Sequence, residues 1–440
     1  MLIAIGALGA GMAFFVVQEL PVEGRIVAIE NDQALLASVP PLWMLTPETL
    51  DAKRAEAFKL LEPLELKVST KKFSYTERRA SLRDGMVGFR DEPFSDYERE
   101  FGLAVLDLPS GELKTITITK HGAQLVAPSG YTIDITERGS GIRWNGLGTQ
   151  FRVLEPEHQI VFALKYPIVH EKGTRRLGIE YFTYLPYHPD VMSQGALSNA
   201  AGYVRTVIGT AREDLRQRQV RSKAFPEKLV ADILPDSYFE RLPFLEQSDY
   251  VETVINTRGA VQRVLGLLYL NSEKAFTQTV SKAKAIGWVQ FTDNTGSKGQ
   301  LGTYSGVRKD FPDAGLVSDF RTGASDHQNS MKAAMLLHDK NLAKLVAEFG
   351  REFVEQLLKE RPEQAEEILA AMYNGGDKHT IRALHAGASD WAQAQDTKGK
   401  FILPSETRQF MAKLRLFREG DLPMSYLMSH LNGSPAVQTN

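Results

Sequence analysis

The period of the hydrophobic pattern changes once along this 440-residue chain, near Met192. Before that point polar and apolar residues alternate, as in residues 114–119 (K-T-I-T-I-T) and 131–136 (Y-T-I-D-I-T), which is the period of a half-buried β-strand. After it, apolar residues recur every three or four positions almost to the end, as they do along an amphipathic helix. The chain is therefore predicted to have an α+β fold, with a β-rich part followed by an all-α part.

The β-rich part is expected to span residues 25–190 and to form a β-sandwich or a curled sheet. Turn signals such as Pro109-Ser110-Gly111 separate its predicted strands. Two helical interruptions are predicted, one over residues 47–61 with Thr46 as its cap and a short one near residues 94–101. Further β-branched and aromatic runs lie at residues 152–154, 159–164 and 177–185.

The helical part opens with a predicted connector at residues 191–225, whose second half is rich in arginine. We interpret that basic run as a solvated helix face, with a contact to an acidic surface as the alternative. Residues 432–440 are predicted to be a flexible tail. Amphipathic helices are predicted at residues 339–349, 353–359, 362–373 and 406–417.

Composition excludes several classes of function. A net charge of −2 disfavours a nucleic-acid partner, which usually meets a strongly basic surface. The chain has no cysteine, so disulfides, thiolate metal sites and a cysteine nucleophile are ruled out. Its nine histidines lack any metal-binding spacing, and there is no phosphate-binding loop. We therefore expect neither a metal nor a cofactor.

The first 17 residues carry no charged side chain. As a helix they would be about 26 Å long, slightly less than the ~30 Å hydrocarbon core of a membrane. Segment 1–20 is read as a signal peptide or as a membrane anchor. A buried core helix is the third reading, which Gly6, Gly9 and Gly11 disfavour. Either membrane reading predicts a protein exported from the cytoplasm.

Four short stretches of the helical part combine residues that could act on a polar substrate. Glu246 ends an apolar run, and apolar surroundings raise the pKa of a carboxylic acid so that it can donate a proton near neutral pH. Gly287 allows a close backbone approach, and Gln290 offers an amide that both donates and accepts hydrogen bonds. The alternatives are an exposed helix-terminal glutamate, a buried aromatic helix start and a simple glycine helix stop. The stretches are F-L-E-Q-S-D-Y (244–250), A-K-A-I-G-W-V-Q-F (283–291), A-A-M-Y-N-G-G (370–376) and L-P-S-E-T-R-Q-F (403–410).

In this order the four stretches resemble the motifs of the lytic transglycosylase domain, over roughly residues 230–420. The resemblance implies a lysozyme-like catalytic domain at residues 226–425 that needs no metal or cofactor. It implies that Glu246 is the single catalytic acid and base. It also implies that substrate is bound by Ser248, Gly287, Gln290, Tyr373 and Asn374.

Two features depart from the family pattern. Gln247 separates Glu246 from Ser248, whereas the family places the serine directly after the glutamate. The first two motifs are also farther apart than in the family, which predicts an insertion at about residues 257–279. This segment contains an apolar run (264–270), so we expect it to project beside the groove, shielded by the β-rich part, the membrane or a partner.

The implied activity is cleavage of the bond between N-acetylmuramic acid and N-acetylglucosamine in peptidoglycan, leaving a 1,6-anhydro end. The implied partners are glycan strands, an envelope protein bound by the β-rich part, and the membrane through residues 1–17. The expected location is the periplasm. Two alternatives are a hydrolase of the goose-lysozyme type and a glycan-binding protein that does not cut.

Overall fold

Most of the described residues before residue 185 lie in strands, and helices predominate among the described residues after it, as in an α+β fold. The computed structural model describes residues 46–83, 86–122, 124–138, 149–172, 175–281, 283–293, 302–387, 390–423 and 425–428. The predicted membrane segment at residues 1–20 and the predicted tail at 432–440 lie outside the described residues. Within the described ranges, no helix is both long and apolar enough to cross a membrane.

The strands form one six-stranded antiparallel sheet and one two-stranded hairpin. The sheet runs in the order β4-β3-β2-β7-β8, and β1 pairs with the first part of β2. The hairpin is β5 with β6. The strands are β1 (Val68–Arg83), β2 (Met86–Asp107), β3 (Leu113–His121), β4 (Gln124–Val126), β5 (Thr132–Arg138), β6 (Thr149–Glu155), β7 (Gln159–Lys172) and β8 (Arg175–Tyr184).

Successive residues of β2 face opposite sides of the sheet, as the period-two pattern requires. Leu103 and Val105 lie in the cluster that contains hairpin residue Phe151, whose ring lies 5.2 Å from that of Phe101. Ala104 between them faces the other cluster, which helix α1 (Pro47–Leu61) covers. Around Leu103–Val105 the sheet therefore has a helix on one face and the hairpin on the other, and these residues are buried.

One of the two predicted helical interruptions exists. Thr46 caps α1 as predicted, and its Oγ1 accepts a hydrogen bond from the backbone N of Thr49 at 3.4 Å. The second prediction, a short helix near residues 94–101, is wrong because that stretch belongs to β2 and pairs with β1. Phe94 stacks there on Tyr75 across the pair, at 5.7 Å between ring centroids. Cross-strand pairing outweighs local helical spacing in this segment.

Fourteen helices are described, counting α1, and they include all four predicted amphipathic segments. After α1 they are α2 (Gln194–Gln217), α3 (Ser237–Glu240), α4 (Leu242–Gln247), α5 (Tyr250–Ile255), α6 (Thr257–Asn271), α7 (Thr303–Asp310), α8 (Phe320–Ser325), α9 (His327–Phe349), α10 (Arg351–Glu360), α11 (Pro362–Gly375), α12 (Asp377–His385), α13 (Ser405–Glu419) and α14 (Ser425–Met428). The predicted segments lie within α9, α10, α11 and α13.

Helix α2, in the segment expected to be a connector, contributes a full face to the core of the helical part. Ser193 caps it by accepting a hydrogen bond from the backbone N of Ala196 at 3.2 Å. Val204, Ile208 and Leu215 are completely buried on its inner face. Its basic second half is not uniformly solvated, because the guanidinium of Arg212 is buried and donates to backbone carbonyls.

Helix α6 corrects the expectation that residues 257–279 project from the domain. Val264, Leu265 and Leu268 are at most 1% exposed and lie in the main core, where α6 packs on α2. At its end, Asn271 exchanges two hydrogen bonds of 2.9 Å with the backbone N and O of Leu185, directly after β8. The apolar run that suggested a lid is therefore the buried face of a core helix that joins the sheet to the helices.

Candidate active site

Glu246 lies in the last turn of α4, a short helix whose other side chains are largely buried. Leu242, Phe244 and Leu245 are at most 3% exposed, while Glu246 is only partly buried. Among the described residues, none forms a hydrogen bond or an ion pair with the Glu246 carboxyl. The carboxyl group is therefore half-buried and has no bonded partner among the described residues.

The surroundings of Glu246 favour its protonated form. Burial is the largest effect and raises the pKa of the carboxyl well above its ordinary value. Lys413 opposes that rise with its positive charge, and Glu406 adds to it with its negative charge. Because burial dominates, the group can carry a proton at neutral pH, as a general acid must.

Two buried cations close the end of α4. The last carbonyls of a helix have no partner inside it and must be satisfied from elsewhere. The ammonium of Lys413 donates to the carbonyls of Leu245 and Ser248, the latter at 2.6 Å. The guanidinium of Arg263 donates to the carbonyl of Gln247 at 2.7 Å. These contacts hold the backbone on both sides of Glu246.

Both cations were missed by sequence reasoning. Arg263 lies in the segment taken for an insertion, and Lys413 lies just beyond a motif taken for packing. The pattern did contain a signal, because Lys413 interrupts the apolar stripe of Phe410, Leu414 and Phe417 on α13. A lysine at such a position is buried, and a buried ammonium needs a specific set of acceptors.

The turn at residues 287–290 is attached directly to α4. The side-chain Nε2 of Gln247 donates to the carbonyls of Gly287 at 3.0 Å and Trp288 at 2.9 Å. Gln290 donates from its own Nε2 to the same Gly287 carbonyl at 2.7 Å. Gly287 has a φ of 80°, and a Cβ there would lie 2.0 Å from the carbonyl oxygen of Ala324, so only glycine fits.

Trp288 anchors the other side of this turn in α9. Its indole stacks on His327 with ring centroids 4.4 Å apart, and its Nε1 donates to the hydroxyl of Ser330 at 2.8 Å. Trp288 is completely buried. The turn is thus fixed between α4 and α9, which gives its backbone a defined position beside Glu246.

Tyr373 and Asn374 join the third motif to its neighbours. The hydroxyl of Tyr373 donates to the carbonyl of Val289 at 2.6 Å, so the residue touches the turn that also bonds to α4. Burial, and after it the charge of Glu246, raise the pKa of this hydroxyl, which keeps it protonated. Asn374 accepts a hydrogen bond from Thr407 of α13 at 2.9 Å. All four motifs therefore meet around Glu246.

Ser248 does not join this group through its side chain. It is 3% exposed, its hydroxyl donates to the carbonyl of Phe244 at 2.6 Å, and Thr253 donates to the same hydroxyl at 3.2 Å. The one-residue shift noted in the sequence thus places the serine inside the closing turn of α4. Its observed role is to end that helix.

A groove of about 800 Å³ runs beside Tyr373 and Asn374. One wall is the end of α11, and the facing wall is formed by α7 and α9. Lys340 and Lys344 lie on the second wall and pair with Asp310 at 2.6 Å and Asp377 at 2.7 Å. The lining includes Tyr373 and Asn374 of the third motif, and Glu246 is not part of it.

A second catalytic carboxylate is not provided by Glu252, the acidic residue of α5. Both of its oxygens are bonded to Arg263, at 2.6 Å and 2.9 Å. In the described parts of the chain, no three His, Cys, Asp or Glu side chains cluster so that they could hold a metal ion. Of the acidic side chains described near Glu246, Glu252 is bonded to Arg263, and Glu406 acts on Glu246 through its negative charge.

Comparisons of the chain with family models, with curated proteins and with solved structures find no match. Hydrogen bonds connect α4, the turn at 287–290, the end of α11 and the start of α13 to one another.

Proposed function

We propose that this protein is a lytic transglycosylase, which cleaves the bond between N-acetylmuramic acid and N-acetylglucosamine in peptidoglycan. The observation that carries the proposal is the position of Glu246. Its carboxyl group, favoured in the protonated form and bonded to no described residue, lies where the four motifs meet. A lysozyme-like arrangement of the helices is part of the same proposal.

In the first step Glu246 acts as an acid. Its proton passes to the glycosidic oxygen, the bond from that oxygen to C1 of the muramic acid breaks, and the N-acetylglucosamine side leaves with a hydroxyl group. Positive charge develops at C1 as that bond breaks. The raised pKa of Glu246 supports this role because it keeps the proton on the carboxyl group at neutral pH, where it is available for transfer.

In the second step the Glu246 carboxylate acts as a base. It takes the proton from the C6 hydroxyl of the same muramic acid while the C6 oxygen bonds to C1. A 1,6-anhydro ring closes, no water is consumed, and Glu246 is protonated again. An internal nucleophile has a large entropic advantage over one from solution. Since Glu252 is occupied by Arg263, this single-carboxylate route suits the site better than one with a covalent glutamate intermediate.

The groove along Tyr373 and Asn374 would hold the glycan strand. The hydroxyl of Tyr373, fixed on the carbonyl of Val289, would keep its lone pairs available to the substrate or to the protonated Glu246. The proposal includes export of the protein to the periplasm, with residues 1–17 acting as a signal peptide or as a membrane anchor. In the same proposal, an envelope protein would bind the β-rich part.

The test is digestion of purified peptidoglycan, with the products identified by mass spectrometry. The parent protein should release fragments that end in 1,6-anhydro-muramic acid, and Glu246→Gln should lower the rate by a factor of about 10² to 10⁴. Glu360→Gln, at an exposed position at the end of α10, is the matched control and should keep the parent rate.

Products heavier by one water molecule would identify a hydrolase instead. Binding of glycan without any cleavage would identify a glycan-binding protein. Full activity of Glu246→Gln would remove Glu246 from the mechanism.

A further inference from the structure

Lys413 occupies an unusual position for a lysine. It lies on the inner face of α13 and is 6% exposed. Its ammonium donates to the carbonyls of Leu245 and Ser248, which lie one residue before and two residues after Glu246. Phe410, one turn earlier on the same helix, covers it with its ring at 5.3 Å. The ammonium is thus enclosed directly behind the backbone that carries the candidate acid.

The charge of Lys413 is less compensated than that of the other cation at this helix end. Arg263 also bonds to α4, but both oxygens of Glu252 neutralise it. Lys413 has only uncharged carbonyl oxygens as partners, and no carboxylate of the described residues lies within ion-pair distance of it. Carboxylates act on the Lys413 ammonium only from beyond that distance, so a negative charge that forms on Glu246 is favoured by the buried ammonium.

We propose that Lys413 is the positioning residue of Glu246: it holds the backbone on both sides of the acid and supplies the positive charge that stabilises the carboxylate left after proton donation. The proposal rests on the proposed function for its catalytic meaning. The electrostatic coupling between Lys413 and Glu246 does not depend on the proposed function. A fixed charge of this kind is present before the reaction begins and needs no rearrangement.

The charges around Glu246 and Lys413 determine the direction in which each pKa changes when the other residue is replaced. Loss of the positive charge at Lys413 should raise the pKa of Glu246 further, because burial would then act without its opposing cation. The coupling is mutual, so loss of the charge at Glu246 should lower the pKa of Lys413. The groups that face this pair are Glu406 from α13, Tyr373 from α11, and Asp249 and Glu252 at the start of α5.

The first experiment titrates Glu246 by NMR with the glutamate carboxyl carbons labelled. We expect Lys413→Gln, which keeps amide donors but loses the charge, to raise the titration midpoint of Glu246 by about one pH unit or more. Lys413→Arg keeps the charge and should leave the midpoint within a few tenths of a unit of the parent. An unchanged midpoint in Lys413→Gln, or an equal rise in both variants, would overturn the proposal.

The second experiment does not require the Lys413 variants to fold. The isosteric Glu246→Gln variant leaves Lys413 in place, and NMR of the lysine side chains should show that the pKa of Lys413 falls relative to the parent. An unchanged Lys413 would refute the coupling. Neither titration uses enzymatic activity, so a failure of the proposed function is separable from a failure of this inference.

If the protein cleaves peptidoglycan, the pH profile adds a third readout. The alkaline limb reports loss of the proton from the acid. In Lys413→Gln that limb should move to higher pH while the maximal kcat falls about tenfold or more, and Lys413→Arg should restore both. A fall in activity with an unmoved limb would indicate a role in folding only, and would contradict the proposal.

Discussion

Replacement of Glu246 by glutamine should make the protein more stable, and the gain should grow with pH. Folding raises the pKa of Glu246 because burial disfavours the charged form. Below pH 4.5 both the folded and the unfolded chain hold the proton, and its contribution to stability is fully present. As the pH rises above 4.5 the unfolded chain releases its proton first, so the folded state loses stability. Glutamine has no proton to lose and avoids this cost.

The magnitude follows from the width of the pH window. While only the unfolded chain has released its proton, the folded state loses about 1.4 kcal/mol per pH unit. From pH 4.5 to pH 7 this gives an upper limit of about 3 kcal/mol. Glu246 is partly exposed and Lys413 stabilises its charged form, so we expect a gain of about 1 to 2 kcal/mol at pH 7. The gain should approach zero near pH 4.

The assay is urea unfolding of the parent and of Glu246→Gln at a series of pH values from 4 to 8, with equal m-values required for the comparison. Glu360→Gln, on the exposed end of α10, should show no gain that increases with pH. A stability difference that is constant across this range, or a loss of stability in Glu246→Gln at pH 7, would refute the argument that burial holds the proton on Glu246.

Two further predictions concern the scaffold of the site. Gly287→Ala should cost at least about 3 kcal/mol of unfolding free energy, because a Cβ at φ 80° would overlap the carbonyl of Ala324. Gly209→Ala, on the open surface of α2, should instead gain up to about 1 kcal/mol. Equal thermal midpoints for these two variants would contradict this prediction. Asn271→Ala should cost about 2 to 4 kcal/mol, because it leaves both the backbone N and O of Leu185 without partners. A cost below 1 kcal/mol would mean that α6 is held to the sheet by apolar packing alone.

Where local pattern and final packing agree, the elements were predictable. The cap at Thr46, the strand containing residues 114–119 and the helices after residue 193 follow from hydrophobic period and capping chemistry, which act over a few neighbouring residues. The same patterns fail near residues 94–101. There the partner strand β1 is more than fifteen residues away along the chain, and pairing with it overrides the local tendency.

For the candidate site, residue type and order singled out Glu246, Gly287, Gln290, Tyr373 and Asn374, which the structure brings close together, while their roles stay predictions. It was insufficient for Ser248, whose hydroxyl bonds within its own helix end, and for the segment at 257–279, whose apolar run is equally suited to a lid or to a core helix. An apolar run carries no information about which surface will cover it.

The sequence by itself determined the division into strands and helices and the types of residue available for chemistry. Only the tertiary structure decided that the ammonium of Lys413 and the guanidinium of Arg263 meet at the end of α4, behind Glu246. The three residues lie on three different helices, at positions 246, 263 and 413. Long-range packing sets such distances, and the properties of Glu246 depend on them because electrostatic coupling falls with distance and rises with burial.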